Sequence, residues 1–245
     1  MAGYVLHLEH VLRVWMNLSE QTKKQMPQNA LRSMLLGAIV PDLTTSKDNT
    51  HFYVPHPEFG KYYMIPDQAK VEELFLQKDP TSLGVLAHLT YDNDSVCGFL
   101  LRYGKPTKDG MFENTRTGKK ISGMQLFGDW KTTIGQLYKF YNKTNAMLAK
   151  ELAMSLTVEM GIYAEANKEG LLNQLKQIFP DGVPLCGIPE MDNFRSDANF
   201  HDIIKGYFDD DGHDCTWDVQ VSDLIDVNKE SAARLTRKIN ALYTA

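Results

Sequence analysis

The chain has 245 residues, of which 43% are hydrophobic and 23% are charged. This length and composition are typical of a globular protein with a sizeable core, so we predict a single domain spanning residues 1–245. The formal net charge is −5 and no Lys- or Arg-rich block occurs, which argues against a nucleic-acid backbone as the main partner. A small phosphate ester is compatible with this charge.

Nothing in the composition indicates a membrane span or a secretory signal. The segment 1–10 lacks the basic start and apolar run of a signal peptide, and no apolar stretch is long enough for a transmembrane helix. The cysteines Cys97, Cys186 and Cys215 are far apart and odd in number, so they predict neither a disulfide framework nor a CxxC metal site. We therefore expect a reducing, cytoplasmic setting.

Helical periodicity dominates the first part of the chain. Residues 4–18 and 28–40 predict two helices, and Pro41 ends the second. Residues 42–66 contain three prolines and Gly60, so we predict a long irregular loop there. Structureless segments of this length inside a compact domain are usually functional, which makes the loop a candidate part of a site.

The rest of the chain again predicts mainly helices. Residues 67–77 predict a short helix, and residues 81–103 predict a buried one with Thr81 as its N-cap. The polar segment 105–123 predicts a small hairpin at the surface. Further helices are predicted over 124–145, 146–166, 168–178, 193–206 and 221–243. We therefore expect an all-α fold.

A histidine and an aspartate lie side by side on the predicted buried helix. His88 and Asp92 are four residues apart and so share one helix face, while apolar residues circle the rest of the helix. A buried carboxylate is costly unless it is paired or bound to a metal. The two side chains therefore either pair with each other, which is the commoner arrangement, or face one cation.

Three other segments supply matching donor groups. His7 lies on the first predicted helix, Asp42 follows the proline that ends the second, and His51 lies in the predicted loop. Imidazole and carboxylate are groups that zinc accepts as ligands. Together with His88 and Asp92, these residues would suffice to hold one or two zinc ions.

The motifs that contain these donors resemble the zinc-dependent phospholipase C family, which shares its all-α fold with the P1-type nucleases. The matching stretches cover about residues 5–100 and are HLEHVLRVWMNL from His7, GAIVPDL at 37–43, THFYVPH at 50–56 and LGVLAHLTYD at 83–92. The resemblance implies that the metal ligands are His7, Asp42, His51, His88 and Asp92. It implies that His7 and Asp92 share one ion, that the other three residues hold a second ion with Asp92, and that Asp92 bridges the two.

The resemblance also implies a reaction. Zinc lowers the pKa of a bound water to about 7, so hydroxide is available at neutral pH, and a second ion would stabilise the phosphate charge in the transition state. The implied function is hydrolysis of a phosphoester, chiefly a phosphodiester, with zinc or another divalent metal as cofactor. Asp42 would also accept the proton of the water. The implied substrate is a small phosphoester or a phospholipid.

The chain departs from the family at the third metal position. The family uses a free N-terminal amine, a histidine soon after the bridging aspartate, and a later His-x-x-x-Glu pair. Here the N-terminus is close to His7, residues 96–98 contain no histidine, and Gln125 and Asp129 take the later positions. We therefore expect two ions at most. The alternative function is a non-enzymatic protein that keeps the fold with a reduced or structural metal site.

Several other residues have both a structural and a functional interpretation. His10 is expected to be partly exposed on the first helix, with a role as ligand or ligand support as the alternative. His56 is expected at the loop surface, with substrate contact as the alternative. The acidic segment 208–218 is similar to a calcium-binding loop, but Tyr207 stands where the first oxygen donor is needed, so we expect a solvated loop.

Two further motifs are weaker. His201 and Asp202 form the HD pair of HD phosphohydrolases, but the spacing to any other candidate ligand is poor. An aromatic group has helical spacing and is expected to lie in the core rather than to bind substrate: Trp130, Tyr138, Phe140 and Tyr141.

Overall fold

The chain is mostly helical in the computed structural model, with 66% helix and 9% strand. The structure describes residues 3–57, 60–107, 109, 111–129, 133–134, 136–209 and 219–244. The predicted helical character is confirmed, and three small antiparallel sheets accompany the helices. Within the described ranges, no helix combines the length and the hydrophobicity needed to cross a membrane.

The helices and strands alternate unevenly along the chain. The helices are α1 (Tyr4–Asn17), α2 (Glu20–Gln25), α3 (Ala30–Ile39), α4 (Lys47–His51), α5 (Gln68–Phe75), α6 (Pro80–Asp94), α7 (Leu101–Tyr103), α8 (Gly123–Phe127), α9 (Gln136–Met160), α10 (Lys168–Ile178), α11 (Pro189–Asp192), α12 (Phe200–Asp209) and α13 (Val221–Thr244). The strands are β1 (Tyr53–His56), β2 (Gly60–Pro66), β3 (Gly104–Pro106), β4 (Met111–Asn114), β5 (Lys120–Ser122), β6 (Gly128–Asp129) and β7 (Thr133–Ile134). A π-helical segment, Ser95–Leu100, joins α6 to α7.

The segment 42–66, predicted as irregular, contains regular structure. Helix α4 lies in its first half, and β1 pairs with β2 as an antiparallel hairpin in which Pro55 stands opposite Met64. Both strands of a two-stranded sheet are edge strands, so a proline without an N–H is accommodated there. The prediction of a long irregular loop was therefore wrong. The hairpin predicted within 105–123 is confirmed and enlarged, because β3, β4 and β5 form a three-stranded sheet.

Several predicted helix boundaries were also wrong. Helix α9 runs through the predicted break at 145/146, where no proline or glycine interrupts it. Helix α12 begins at Phe200, seven residues later than predicted from position 193. The N-cap of α6 is Asp79, not Thr81, since the Asp79 carboxylate accepts a hydrogen bond from the Ser82 N–H at 2.7 Å. Pro80 then takes the first helical position, where its missing N–H costs nothing.

Helices α3 and α6 approach each other through two glycines. A β-carbon at Gly84 would lie 2.1 Å from the Met34 carbonyl oxygen, and one at Gly37 would lie 2.1 Å from the Thr81 carbonyl oxygen. Both distances are far below van der Waals contact, so only glycine permits this backbone-to-backbone packing. The contact brings the C-terminal end of α3 against the face of α6 that carries His88.

Helix α6 is the centre of the molecule. It packs against α1, α3, α5 and α13, and every residue from Pro80 to Asp92 is buried. The prediction of a helix buried on most sides is thereby confirmed. Three residues after Asp92 the chain enters the π-helical segment, a feature that often accompanies functional sites.

Candidate metal centre

All five predicted ligands lie in one cluster, which we call the donor cluster. Helix α1 contributes His7, the turn after α3 contributes Asp42, α4 ends at His51, and α6 contributes His88 and Asp92. The three histidines are fully buried, and the side chains of Asp92 and Asp42 are 3% and 5% exposed. Four separate segments thus place nitrogen and oxygen donors in the interior.

The donor atoms are closely and evenly spaced around Asp92. Its Oδ1 lies 3.5 Å from His7 Nε2, and its Oδ2 lies 3.3 Å from His51 Nε2 and 3.6 Å from His88 Nε2. The His51 Nε2 atom also lies 3.4 Å from Oδ1 of Asp42. Among the described residues, the Nε2 atoms of the three histidines and both oxygens of Asp92 are buried without a hydrogen-bond partner.

These separations fit metal ligands better than hydrogen bonds. A nitrogen–oxygen hydrogen bond is about 2.7–3.2 Å long, shorter than each of the four distances. Two ligands of a tetrahedral zinc ion, each about 2.0–2.1 Å from the metal, lie about 3.3–3.5 Å apart. Buried polar atoms without partners are costly, and an ion shared by them would remove that cost. The donor set therefore fits zinc, whereas a simple hydrogen bond between His88 and Asp92 is not formed.

The cluster divides into two overlapping groups. His7, His88 and Asp92 form one group and Asp42, His51 and His88 form the other, with the donor atoms of each group within 4.8 Å of one another. The rings of His7 and His88 stack at a centroid distance of 3.6 Å. The two oxygens of Asp92 face different histidines, as a bridging carboxylate would. The overlap at His88 differs from the implied arrangement, in which only Asp92 is shared.

Hydrogen bonds on the far side of two rings fix their orientation. His88 Nδ1 lies 2.7 Å from the Ala38 carbonyl oxygen, which can only accept, so Nδ1 carries the proton. His51 Nδ1 lies 3.0 Å from the Thr50 hydroxyl, which donates to the Pro41 carbonyl at 2.9 Å and so accepts from His51. In the neutral form of both rings, Nε2 therefore keeps its lone pair toward the cluster, the form in which imidazole binds a metal.

The electrostatics of the cluster favour the ligand forms of its carboxylates. Burial alone would raise the pKa of Asp92, but the imidazoles around it, His7 first, hold that pKa well below its usual value. Burial would also raise the pKa of Asp42, but the ammonium of Lys47 and the ring of His51 hold it well below the usual range. Both carboxylates are therefore ionised at neutral pH, as metal binding requires.

The pKa values of two histidines of the cluster shift in opposite directions. Burial, reinforced by the neighbouring His88, holds the pKa of His7 well below its ordinary value. Burial would lower the pKa of His51 as well, but Asp42 and Asp92 together raise it above the ordinary value. A divalent ion would therefore compete with a proton for His51, and ion binding at this residue should release that proton.

His10, expected to be partly exposed, is instead fully buried beside the cluster. Its Nδ1 lies 2.5 Å from the side-chain oxygen of Asn228 on α13, and the Asn228 amide donates to Glu9, which Arg13 also contacts. Its ring stacks on Tyr91 at a centroid distance of 4.8 Å. His10 is thus part of a buried polar network between α1 and α13 and is not in either donor group.

Burial lowers the pKa of His10 to about 4, which predicts a loss of stability in acid. The unfolded chain binds a proton at this residue near pH 6.5 and the folded protein only near pH 4, so stability falls as the pH falls between these values. We expect the free energy of unfolding to drop by about 3 kcal/mol from this residue between pH 7 and pH 4. Urea titrations with a chelator present should show this drop in the wild type and a smaller drop in His10→Gln. Equal drops in both proteins would contradict the assignment.

The remaining candidate residues are in neither donor group or lie outside the described residues. His56 is buried in β1 rather than exposed at a loop surface, so that prediction was wrong. Gln125 is exposed and its side chain accepts from the Ser122 N–H at 2.9 Å. His201 lies at the start of α12 and is in neither donor group. Phe140 and Tyr141 are core residues, as predicted.

Four other predictions fall where the structure gives no side-chain description. These are the acidic segment 208–218, the side chain of Asp129, Trp130 and the side chain of Tyr138. Their predicted roles stay predictions.

Sequence reasoning missed Lys47, which contacts Asp42 at the edge of the cluster. It lies only five residues after Asp42, but the bend between α3 and α4 that brings them together was read as irregular loop. The ring supports, Thr50 and the Ala38 carbonyl, were also missed. The contact of Thr50 could have been predicted, since Thr50 directly precedes His51 in the sequence. The contact of the Ala38 carbonyl could not, because every residue has a backbone carbonyl.

Comparisons with protein-family models, with curated proteins and with solved structures found no match to this chain. The likeness to the zinc-dependent phospholipase C family therefore depends on the four motifs quoted above and stays a prediction.

Proposed function

We propose that this protein is a metal-dependent hydrolase of phosphoesters, of the phospholipase C type, with phosphodiesters as its substrate class. The observation that carries the proposal is the spacing of the buried donors, 3.3–3.6 Å between imidazole nitrogens and carboxylate oxygens from four segments. We also propose the phospholipase C/P1 nuclease fold, which is compatible with the helical architecture.

Each residue of the donor cluster has a proposed role in binding the metal or in the reaction. His7, His51, His88, Asp42 and Asp92 would hold one or two zinc ions. A bound ion would activate water and stabilise negative charge on the phosphoryl group. Asp92 neutralises part of the ionic charge, and His88 and His51 are held in the metal-binding tautomer by Ala38 and Thr50. The low pKa of Asp42 suits it better as an ionised ligand than as a strong base, so its proposed role as proton acceptor is the secondary one.

Substrate would approach from the side of Asp42. The next residue, Leu43, lines a cavity of about 430 Å³ together with residues 180–183 and 195–201. Lys47, in contact with Asp42, is 37% exposed and is therefore open to solvent.

A second candidate function is a structural metal site in a non-enzymatic protein. The observation that favours it is the burial of the donor cluster, in which no ligand side chain is more than 5% exposed among the described residues. Structural zinc sites are closed, whereas catalytic sites keep a position open to water or substrate. The two functions differ in turnover and not in metal content.

The test combines zinc analysis with turnover of a generic aryl phosphodiester. We expect the purified wild type to bind at least one equivalent of zinc and to hydrolyse the ester, and His88→Ala to lose both. Asp94→Asn is the control, since the Asp94 carboxylate contacts Arg234 and not the donor cluster, and this variant should keep both zinc binding and turnover. Zinc binding without turnover would favour the structural function, and less than about half an equivalent of zinc would refute the metal centre.

A further inference from the structure

Lys47 and the donor cluster use the same carboxylate oxygen. The Lys47 ammonium donates to Oδ1 of Asp42, and this same oxygen lies 3.4 Å from His51 Nε2. The oxygen therefore faces the cluster, and an ion bound by this oxygen and by His51 would share the oxygen with Lys47. Two cations at one oxygen repel each other, and the repulsion is strong because the site is largely removed from water.

The position of Lys47 allows its ammonium to turn away from this oxygen. It is the first residue of α4, and its side chain is 37% exposed while that of Asp42 is 5% exposed. The long stem of a lysine carries its ammonium through several positions at little cost in energy. An ammonium turned away from Asp42 would lie at the solvent side of the cluster, where an anion can reach it.

The charge of the protein makes such a cation useful. The chain has a formal net charge of −5, and two ionised carboxylates lie in the cluster itself. A phosphoester approaching them is repelled unless positive charge lies at the entry side. The bound ion supplies some of this charge, and Lys47 is placed to supply more.

We propose that Lys47 couples ion binding to anion binding: the ion displaces Lys47 from Asp42, and the released ammonium binds the phosphate group of the substrate. This inference rests on the proposed metal centre and adds a substrate-binding residue to it. The coupling is reciprocal. The factor by which the bound ion raises the affinity for the anion must equal the factor by which the bound anion raises the affinity for the ion.

The experiment measures zinc affinity by competition with a chromophoric chelator, with and without inorganic phosphate. In Lys47→Met, which keeps most of the length of the side chain and removes its charge, we expect zinc to bind more tightly than in the wild type by about fivefold. Phosphate should tighten zinc binding in the wild type, and this effect should shrink by a similar factor in Lys47→Met, leaving only the part due to direct contact of phosphate with zinc. Lys47→Arg should keep most of the phosphate effect.

Lys229→Met is the matched control, because Lys229 pairs with Asp226 on α13 and the same charge is lost. Its zinc affinity and phosphate effect should equal those of the wild type. If Lys47→Met behaves like this control while the wild type binds zinc, the coupling is refuted and the metal centre stands. If the wild type binds no zinc at all, the metal centre and the coupling fail together.

Discussion

Asp92→Asn is expected to lower zinc affinity by about a hundredfold or more, which corresponds to about 3 kcal/mol for a buried charge removed from its partners. Asp92 is the only carboxylate in the described cluster that lies within 3.6 Å of all three histidines, through Oδ1 for His7 and Oδ2 for His51 and His88. Asparagine has nearly the same shape but no charge, and its amide group offers one oxygen where the carboxylate offers two. The substitution therefore removes at least one of the two oxygen ligands that Asp92 offers.

The measurement is zinc competition with a chelator of known affinity at pH 7, on wild type and variant in parallel. Asp94→Asn is the control, because Asp94 lies one half-turn further on α6 and its carboxylate contacts Arg234 instead of the cluster. The control should bind zinc like the wild type. Equal zinc affinity in all three proteins would show that Asp92 is not a ligand.

The local part of the site could be predicted from the sequence. The i, i+4 spacing places His88 and Asp92 on one helix face whatever the rest of the fold, and the apolar residues around them indicate burial. The order of the four motifs then nominated His7, Asp42 and His51, and the structure places all three in the cluster. That these residues bind zinc stays a prediction.

Long-range packing could not be predicted. His10 is three residues from His7 and has the periodicity of an ordinary helix residue. Its burial depends on contact with α13, where Asn228 pairs with its ring. The prolines of 42–66 predict an interruption of regular structure. The sequence does not show that β1 and β2 form a two-stranded hairpin, in which both strands are edge strands and can contain proline. The close approach of α3 and α6 could likewise not be predicted, because the sequence does not show that Gly37 and Gly84 face each other.

The glycine contact between α3 and α6 gives the second large expected effect. In Gly84→Ala the new methyl group would lie 2.1 Å from the Met34 carbonyl oxygen, so the two helices must move apart. We expect the free energy of unfolding to fall by about 2–3 kcal/mol, as for other overpacked cores. The same movement would pull the Ala38 carbonyl from His88 Nδ1, now 2.7 Å away, so zinc affinity should fall by about tenfold through lost ring support.

Urea unfolding with a chelator present would measure the first effect, and chelator competition on the folded variant would measure the second. Gly206→Ala is the matched control, because Gly206 is in α12 and a β-carbon there would meet no described atom within 4 Å. Alanine is the better helix former, so this control should gain up to about 1 kcal/mol and keep its zinc affinity. Should Gly84→Ala instead follow the control in both measurements, the close approach of α3 and α6 would not be what holds His88 in place.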